Sequence, residues 1–342
     1  MAATVQTAGS GLSLSQVAKL LAPDGSVQIV ADLLSQNNEI LEDVIFMPGN
    51  GPFSHRLTVQ TGLPSVYTRT FNSGTPISAS QYDNLDVMYS LYSAWSQVDR
   101  DEVELGGDEA GIRFQNDKGF IEALNQNLAY QLFYGSPANN KNQFPGFSLA
   151  YGNNGSGNNA AQNIIDAGGS GAASNTSIWM IGWSDNTVFC PFPKGTAGGL
   201  QVYDHGLQQA FDANGNLFMA YKTEFKWLAG LAIKDWRYVG RIANIAVNTA
   251  NSQRIVANLI DMMSDMTIKP PKNGNVKYAF YCNKTVFAEL KKQARKASQN
   301  ALSIDVANNQ FGENKRWLYF DGIPIREVDQ IVNTESQVTA TS

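Results

Sequence analysis

The feature of this sequence that most constrains its fold is one long helical segment, Asp108 to Tyr134. Its apolar residues recur at helical spacing and form one stripe, made by Phe114, Ile121, Leu124, Leu128 and Leu132. Asp108 and Glu109 stand at the positive end of the helix dipole, and Gly135-Ser136-Pro137 stops the helix. Gly111 and Gly119 weaken its first half. A single stripe predicts a helix with one side on a sheet and the other in solvent.

A hairpin is predicted ahead of this helix. Residues 56–60 and 65–69 both alternate polar and apolar, and Gly62-Leu63-Pro64 separates them. Neither face carries many large apolar groups, and an isolated hairpin is marginal in water. We therefore expect the hairpin to lie on a partner.

The other segments predict a mixture of helices and strands. Helices are expected at 26–41, 85–98, 252–266 and 285–297. Strands are expected at 179–183, 188–190, 217–227, 278–282, 317–320 and 323–325, with hairpin turns at Asn214-Gly215 and Asp321-Gly322. Residues 1–22 predict an arm that orders only against something else, and 335–342 a loose tail. The sum is an α+β protein without an internal repeat.

Charge and cysteine content exclude several classes of protein. The net charge of −5 argues against sequence-independent nucleic-acid binding as the main role. Two cysteines, Cys190 and Cys282, do not make a disulfide framework. No secretory signal is evident at the start, and the longest apolar runs, such as 178–183, are too short to span a bilayer. We expect a soluble chain.

Candidate catalytic groups are few. His55 and His205 are the only histidines, and His205 beside Asp204, with Cys190 nearby in sequence, could be drawn as a cysteine hydrolase. The spacing fits no local signature, so a buried cysteine and a turn histidine are the commoner explanation. If the hydrolase hypothesis were right, replacing Cys190 or His205 would abolish an activity; otherwise it would leave assembly intact.

Motifs for cofactors and metals are incomplete. Gly169-Ser170-Gly171 begins a GxGxxG pattern that ends in Ser174, so a loop is expected. Residues 212–216 lack the distal glutamate of a calcium loop and predict a hairpin turn. The acidic run 99–109 predicts a solvated turn and helix start, and the basic cluster 291–296 a solvated helix end. We assign no catalytic, cofactor-binding or metal-binding residue.

Three blocks of sequence carry a family resemblance. The first runs through Leu33–Asp43, Gly49-Asn50-Gly51-Pro52, His55-Arg56, Thr61-Gly62-Leu63-Pro64, Arg69 and Asn72-Ser73-Gly74. The second is Trp227–Leu231 with Asp235–Val239 and Arg241–Asn244; the third joins Tyr281-Cys282-Asn283, Phe287–Lys292 and Asp321–Pro324. Together they resemble major capsid proteins of the Hong Kong 97-type fold, particularly those of short-tailed phages.

The resemblance implies a division of the chain. It assigns an N-terminal arm (1–48), an E-loop hairpin (53–82), a peripheral domain (85–244) with spine helix 108–134, an axial domain (245–328) and a C-terminal tail (329–342). The E-loop of such proteins lies across a neighbouring subunit. That would explain why neither face of the hairpin can be buried within one chain.

Function and partners are implied in the same way. The subunit would build hexamers and pentamers of an icosahedral head, assembled in the host cytoplasm, that encloses DNA without sequence-specific binding. A portal protein, a separate scaffolding protein, since the arm is short, and a decoration protein are the further partners expected. An encapsulin-like shell shares the fold and stays open as an alternative, as does another virion component such as a tail protein.

The hairpin lacks the residue that would start a covalent cross-link. No lysine occurs between Lys19 and Lys118, so a lysine–asparagine isopeptide bond cannot begin in this loop. We expect non-covalent locking, with Arg56 and Arg69 facing acidic neighbours.

Overall fold

The computed structural model describes residues 36, 38–153, 159–171, 173–212, 214–247, 255, 257–271, 275–296, 303–308 and 314–339. Its helices are α1 (Ile40–Asp43), α2 (Arg100–Gly106), α3 (Glu109–Tyr134), α4 (Phe147–Ala150), α5 (Leu259–Ile268) and α6 (Lys284–Lys296). The first strands are β1 (Phe46–Pro48), β2 (Ser54–Gly62), β3 (Gln81–Met88), β4 (Ser90–Asp99), β5 (Ile164–Asp166), β6 (Asn175–Trp183) and β7 (Val188–Phe192). Then follow β8 (Leu200–Phe211), β9 (Leu217–Ala229), β10 (Ala232–Ile233), β11 (Val239–Ala246), β12 (Lys277–Cys282), β13 (Ser303–Asn308), β14 (Asn314–Phe320) and β15 (Ile323–Glu327).

These strands form three sheets. The largest has ten strands, in the order β1-β7-β6-β12-β15-β14-β13, with β10 beside β7, β11 beside β6 and β5 beside β11. A three-stranded sheet has the order β4-β9-β8, and β2 with β3 forms a separate hairpin. Because parallel and antiparallel pairs mix in the large sheet and helices are many, the expected α+β class is confirmed.

Strand β6 places the large sheet between two cores. All nine of its residues are buried. Trp179, Ile181 and Trp183 point into a core shared with α3 and α4, whereas Ile178 and Met180 point into a core shared with α5 and α6. Because successive side chains of a strand point to opposite faces of the sheet, β6 contributes side chains to both cores.

The long helix is confirmed, but its stripe is only partly buried. Asp108 caps α3, and its Oδ1 accepts a hydrogen bond from the Gly111 amide at 3.0 Å. Leu124, Leu128 and Leu132 are buried, whereas Phe114 and Ile121 are 59% and 40% exposed. The expectation that all five share one buried stripe is therefore wrong, because the first half of α3 packs through a different side, with Phe120 stacked on Phe225 of β9.

The helix expected at 85–98 is wrong. These residues complete β3 and form β4, which pairs with β9 from Ser90↔Ala229 to Asp99↔Ala220. Tyr92 and Val98 face α3 while Leu91 and Trp95 face away, so apolar side chains occupy both faces of the strand. Apolar residues on both faces of a strand resemble the spacing of apolar residues in a helix. Pairing with β9 outweighs this local helical pattern and makes the segment a strand.

The first strand of the expected hairpin is confirmed as β2, but the expectation that residues 65–69 form its partner strand is wrong. Strand β3 begins at Gln81, and residues 65–69 lie in the connection between β2 and β3 without strand structure. Residues 26–35 of the helix expected at 26–41 lie outside the described part of the chain. Of the described remainder, only 40–41 are helical, as the start of α1.

The expected boundary at 244/245 does not separate two sheets. Strands β11 and β12 stand on either side of β6 in the ten-stranded sheet, and β5 to β7 also belong to it. Likewise β1, inside the expected arm, pairs in parallel with β7. The three-stranded sheet and α3 are therefore an excursion from the large sheet rather than one half of the chain.

The expectation of a loose tail after Glu335 is also wrong for the described residues to 339. Glu335 is 6% exposed, and its carboxylate receives Arg241 Nη2 at 2.9 Å as well as the hydroxyls of Tyr134 and Ser177. Val338 and Asn244 exchange two hydrogen bonds, of 2.7 and 2.9 Å. A buried charge needs a partner, and the carboxyl-terminal segment supplies it.

Both predicted turns are confirmed. Gly215 has φ 84°, and Asp321 and Gly322 have φ 49° and 76°, the left-handed values that tight hairpin turns require. Over the described part of the chain, no helix combines the length and apolar character needed to cross a membrane.

Candidate assembly surfaces

The base of the β2–β3 hairpin is anchored in the protein. Leu57 and Val87 are buried and pack with Phe189 of β7 and Ala232 of β10. His55 packs edge-on against Phe189, at 5.5 Å between ring centroids, and burial lowers its pKa. The hairpin is thus fixed at one end while the rest extends away.

A cross-strand ion pair lies within the anchored base of the hairpin. Arg56 stands opposite Asp86, and its Nε and Nη2 donate to the two carboxylate oxygens at 2.7 and 2.9 Å. This hydrogen bonding lowers the pKa of Asp86. Arg56 therefore already has an acidic partner in its own chain. Of the two arginines that we expected to face acidic residues of a neighbouring subunit, only Arg69 remains a candidate.

The hairpin tip, which we define as residues 63–79, is exposed at every position. Its large apolar side chains are Leu63, Val66, Tyr67, Phe71 and Ile77, at 83%, 94%, 47%, 100% and 100% exposure. Its side-chain hydrogen bonds stay local: Arg69 Nη1 donates to Ser73 O at 2.9 Å, and Ser78 Oγ donates to Ser65 O at 2.8 Å. Apolar groups this concentrated mark an interaction surface.

The hairpin joins the three-stranded sheet through a tight junction. Tyr89 alone separates β3 from β4, and its hydroxyl donates to Gly51 O at 3.2 Å. A Cβ on Gly49 would stand 1.9 Å from the Tyr89 hydroxyl oxygen, and one on Gly230 would stand 2.7 Å from Met88 O. Glycine at these two positions lets the chain segments at the hairpin base approach closely.

A second exposed surface, here called the helix surface, lies on α2 and the first half of α3. It presents the apolar side chains of Leu105, Phe114 and Ile121, with Leu105 at 78% exposure. Four exposed carboxylates, those of Asp101, Glu104, Asp108 and Glu109, accompany them. Three cations accompany these four carboxylates: Arg100 pairs with Asp101 and Glu104, Arg113 pairs with Glu109, and Lys118 is exposed.

A third surface, here called the sheet surface, is the face of β4-β9-β8 turned away from α3. Its exposed apolar residues include Leu91, Trp95 and Tyr203. Lys226 approaches Glu224 at 2.6 Å and is the main reason that the pKa of this carboxyl is lowered. Lys222 lines the same hollow as Trp95, so two lysines stand against one carboxylate.

The candidate catalytic residues do not form a catalytic arrangement. His205 stacks on Trp95, with 5.1 Å between centroids, and its Nε2 pairs with Glu224 at 3.2 Å. Asp204 pairs instead with Arg113. Cys190 and Cys282 are free, buried thiols whose pKa burial raises, which disfavours the reactive thiolate.

The candidate ligand motifs have structural roles. The Asp212 carboxylate accepts hydrogen bonds from the amides of Asn214 and Asn216 and so stabilises the hairpin turn. The glycine-rich loop at 169–171 leads into β6 rather than a helix, so it cannot offer a helix N-terminus to a phosphate. Among the described residues, no group of three or more histidine, cysteine or acidic side chains could hold a metal ion.

The charged runs occupy helix ends. Asp99 and Asp108 cap α2 and α3. Lys291 and Lys292 are exposed on α6, with Lys292 Nζ 3.1 Å from Glu289. The Arg241–Glu335 pair was missed by sequence reasoning; a lone arginine within the apolar run 239–245 signals a buried partner but does not identify it.

One family model and several solved structures match this chain. The family model described as major capsid protein GP7 matches residues 22–339. A chain from the cryo-EM structure of bacteriophage epsilon15 is 28% identical, with a TM-score of 0.78 over 98% of this chain and 99% of that one. The capsid of bacteriophage JBD30 shows 11% identity and a TM-score of 0.49 over 87% and 93%. The holo-SrpI encapsulin of Synechococcus elongatus shows 10% and 0.45 over 66% and 95%. No curated protein sequence matches the chain.

Proposed function

Because the chain belongs to the family of the major capsid protein GP7, we propose that its copies assemble into the hexamers and pentamers of an icosahedral phage head enclosing double-stranded DNA. Its role as a structural shell subunit, and its place in the virion, follow from the family. Its fold is the α+β capsid fold of the Hong Kong 97 type. The family match also favours a phage capsid over an encapsulin-like shell.

We assign the parts of the subunit as follows. The β2–β3 hairpin with its tip is the E-loop, and α3 with the three-stranded sheet is the peripheral domain. The ten-stranded sheet is the axial domain, which extends the expected range 245–328 to include β5–β7, β10 and β11. The arm ends before β1, whose pairing with β7 ties it to the large sheet.

The exposed hairpin tip carries the proposal that subunits are tied together by reaching across one another. The subunit exposes five large apolar side chains on one projecting loop. Covering them with a partner removes apolar surface from water and so stabilises the assembled state. Many such contacts, each weak, sum to a stable shell. The tip has no lysine, so a lysine–asparagine bond cannot start from it, and we expect the contact to be non-covalent.

The remaining partners are proposals of the same kind. A scaffolding protein would direct assembly, a portal protein would occupy one vertex and a decoration protein would add to shell stability. A net charge of −5 suits a wall that encloses DNA without holding it. We assign the chain no catalytic step, since its two thiols are buried and His205 is paired with Glu224.

Removing the apolar character of the tip tests the proposal. We expect the combined variant Val66→Ser, Phe71→Ser and Ile77→Ser to stay as small, slowly sedimenting oligomers under conditions in which the wild type forms shells. Because these side chains are at least 94% exposed in the subunit, its unfolding transition should not change.

A matched control keeps the comparison specific. Phe211 and Leu217, at the far end of the β8–β9 hairpin, are 66% and 55% exposed and can be changed to serine in the same way. This control should still assemble. Normal shells from the tip variant would refute the role of the tip.

A further inference from the structure

The carboxyl-terminal segment after β15, which we call the strap (residues 328–338), lies at the joint between α3 and the ten-stranded sheet. It meets the sheet at the start of β6, where Glu335 N donates to Asn175 O at 2.9 Å. Its Ile331 and Val338 are buried in the core that the second half of α3 shares with this sheet. The strap therefore contacts both the long helix and the sheet.

The last residue of α3 is hydrogen-bonded to the strap in both directions. The Tyr134 hydroxyl donates to Glu335 Oε1 and accepts from Val332 N at 3.2 Å. Burial raises the pKa of this tyrosine, so its hydroxyl keeps the proton that it donates. The other carboxylate oxygen, Glu335 Oε2, accepts from Ser177 of β6 and, at 2.9 Å, from Arg241 of β11. One carboxylate thus joins the end of the helix to two strands of the large sheet.

The strap is anchored on the sheet side independently of α3. Asn283 Nδ2, just before α6, donates to Ile331 O at 3.2 Å and to Asn333 Oδ1 at 2.7 Å. Asn244 of β11 exchanges two hydrogen bonds with Val338. These contacts hold the strap on the large sheet whether or not the helix is bonded to it. The hydroxyl of Tyr134 is therefore the contact that can open while the strap stays in place.

The angle at which α3 leaves this joint decides the position of the three-stranded sheet. The helix has 26 residues, and its first half packs on that sheet through Phe120 and Phe225. A helix of this length spans about 39 Å, so each degree of tilt about Tyr134 displaces the far end by about 0.7 Å. Apolar packing is non-directional and permits small sliding movements of a helix, whereas hydrogen bonds have preferred directions.

Resting on the proposed function, we infer that the strap is a latch that fixes the angle between α3 and the ten-stranded sheet, with Tyr134 and Glu335 as its closing contact. With the latch closed, every subunit holds its peripheral and axial domains at a defined angle. The curvature of a shell follows from the shape of its subunits, so the latch restricts that curvature. Opening it leaves the subunit folded, because the apolar core beside α3 stays packed, but lets the angle vary.

Removing one hydroxyl opens the latch without breaking the buried ion pair. In Tyr134→Phe, Glu335 keeps Arg241 and Ser177, so its charge stays compensated. The matched control is Tyr130→Phe, one turn earlier on α3, where the tyrosine is 42% exposed. Hydrogen–deuterium exchange of the unassembled subunit, read by mass spectrometry, reports the opening. Negative-stain electron microscopy of assembled particles reports their diameters.

We expect Tyr134→Phe to raise amide exchange in the last turns of α3 by roughly three- to tenfold, because a lost hydrogen bond favours local opening. Its particles should vary more widely in diameter than those of the wild type, and Tyr130→Phe should match the wild type in both measurements. Unchanged exchange at the end of α3, an unchanged spread of diameters, or an equal effect of Tyr130→Phe would overturn the inference.

The two measurements also separate the latch from the proposed function. Failure of the wild type to form shells would overturn the proposed function. The exchange experiment needs only the unassembled subunit, so it would still decide whether Tyr134 holds the end of α3 in place.

Discussion

At the scale of single residues, the most demanding contact is the buried pair of Arg241 and Glu335. Both side chains are 4% exposed, and Arg241 also donates to Tyr151 O at 2.8 Å and stacks on Trp179 at 4.7 Å. Removing a charge from water is costly unless a partner and hydrogen bonds compensate. The pair therefore ties the carboxyl-terminal segment to β6 and β11.

Removing the charge of Glu335 tests this role. We expect Glu335→Gln to lower the free energy of unfolding by about 3–5 kcal/mol, because it leaves the Arg241 guanidinium buried without its counterion. Denaturant unfolding of the unassembled subunit, followed by tryptophan fluorescence, measures the change. The control Glu104→Gln removes an exposed pair with Arg100 and should change stability by less than about 0.5 kcal/mol. Equal effects of the two substitutions would contradict the account.

At the scale of elements, α3 connects the three-stranded sheet to the core of the large sheet. Its second half is buried beside Phe144, Phe147 and Trp179, and the chain that follows returns tightly, with Gly146 N donating to Gly135 O at 2.8 Å. Its first half carries Gly119, which has open space around the position of a Cβ. Close packing therefore requires glycine at position 146, whereas the open space around Gly119 would accept a larger residue.

Alanine at these two positions should therefore shift stability in opposite directions. Gly119→Ala should stabilise the subunit by about 0.5–1 kcal/mol, since alanine loses less backbone entropy in a helix. Gly146→Ala should destabilise it by at least about 1–3 kcal/mol, because its Cβ would stand 2.6–2.8 Å from backbone atoms of Gly135, Gln131 and Phe133. Thermal unfolding of both variants checks the signs; a loss of stability in Gly119→Ala would contradict the open environment described.

The sequence predicts elements best where a local signal is sufficient. The capping residue, the length and the stop of α3 are all local, as are the glycine turns at 215 and 322. The sequence fails where pairing decides, since β4 is a strand only because β9 lies beside it. Nor could it distinguish Phe114 from Leu124 in one apolar stripe, because that depends on which sheet each half of α3 contacts.

At the scale of the whole molecule, one chain presents a projecting apolar tip together with further exposed apolar surfaces. The tip is anchored at its base by Leu57 and Val87, and the Arg56–Asp86 pair lies within the same base. A rigid base with an exposed end suits contact between subunits, because less conformational freedom is lost on docking. The exposed tip was foreseeable from the weak amphipathicity of the hairpin, whereas the other exposed apolar side chains, such as Leu105 and Trp95, could be located only from the fold.

The most direct test is a cryo-EM reconstruction of particles assembled from this chain, at a resolution that traces residues 53–88. We expect closed icosahedral shells in which the hairpin tip of each subunit lies against another subunit. The same particles, heated in denaturing detergent, should separate into single subunits. Small oligomers in place of shells, a tip folded onto its own subunit, or shells that stay covalently linked in detergent would contradict the central claim.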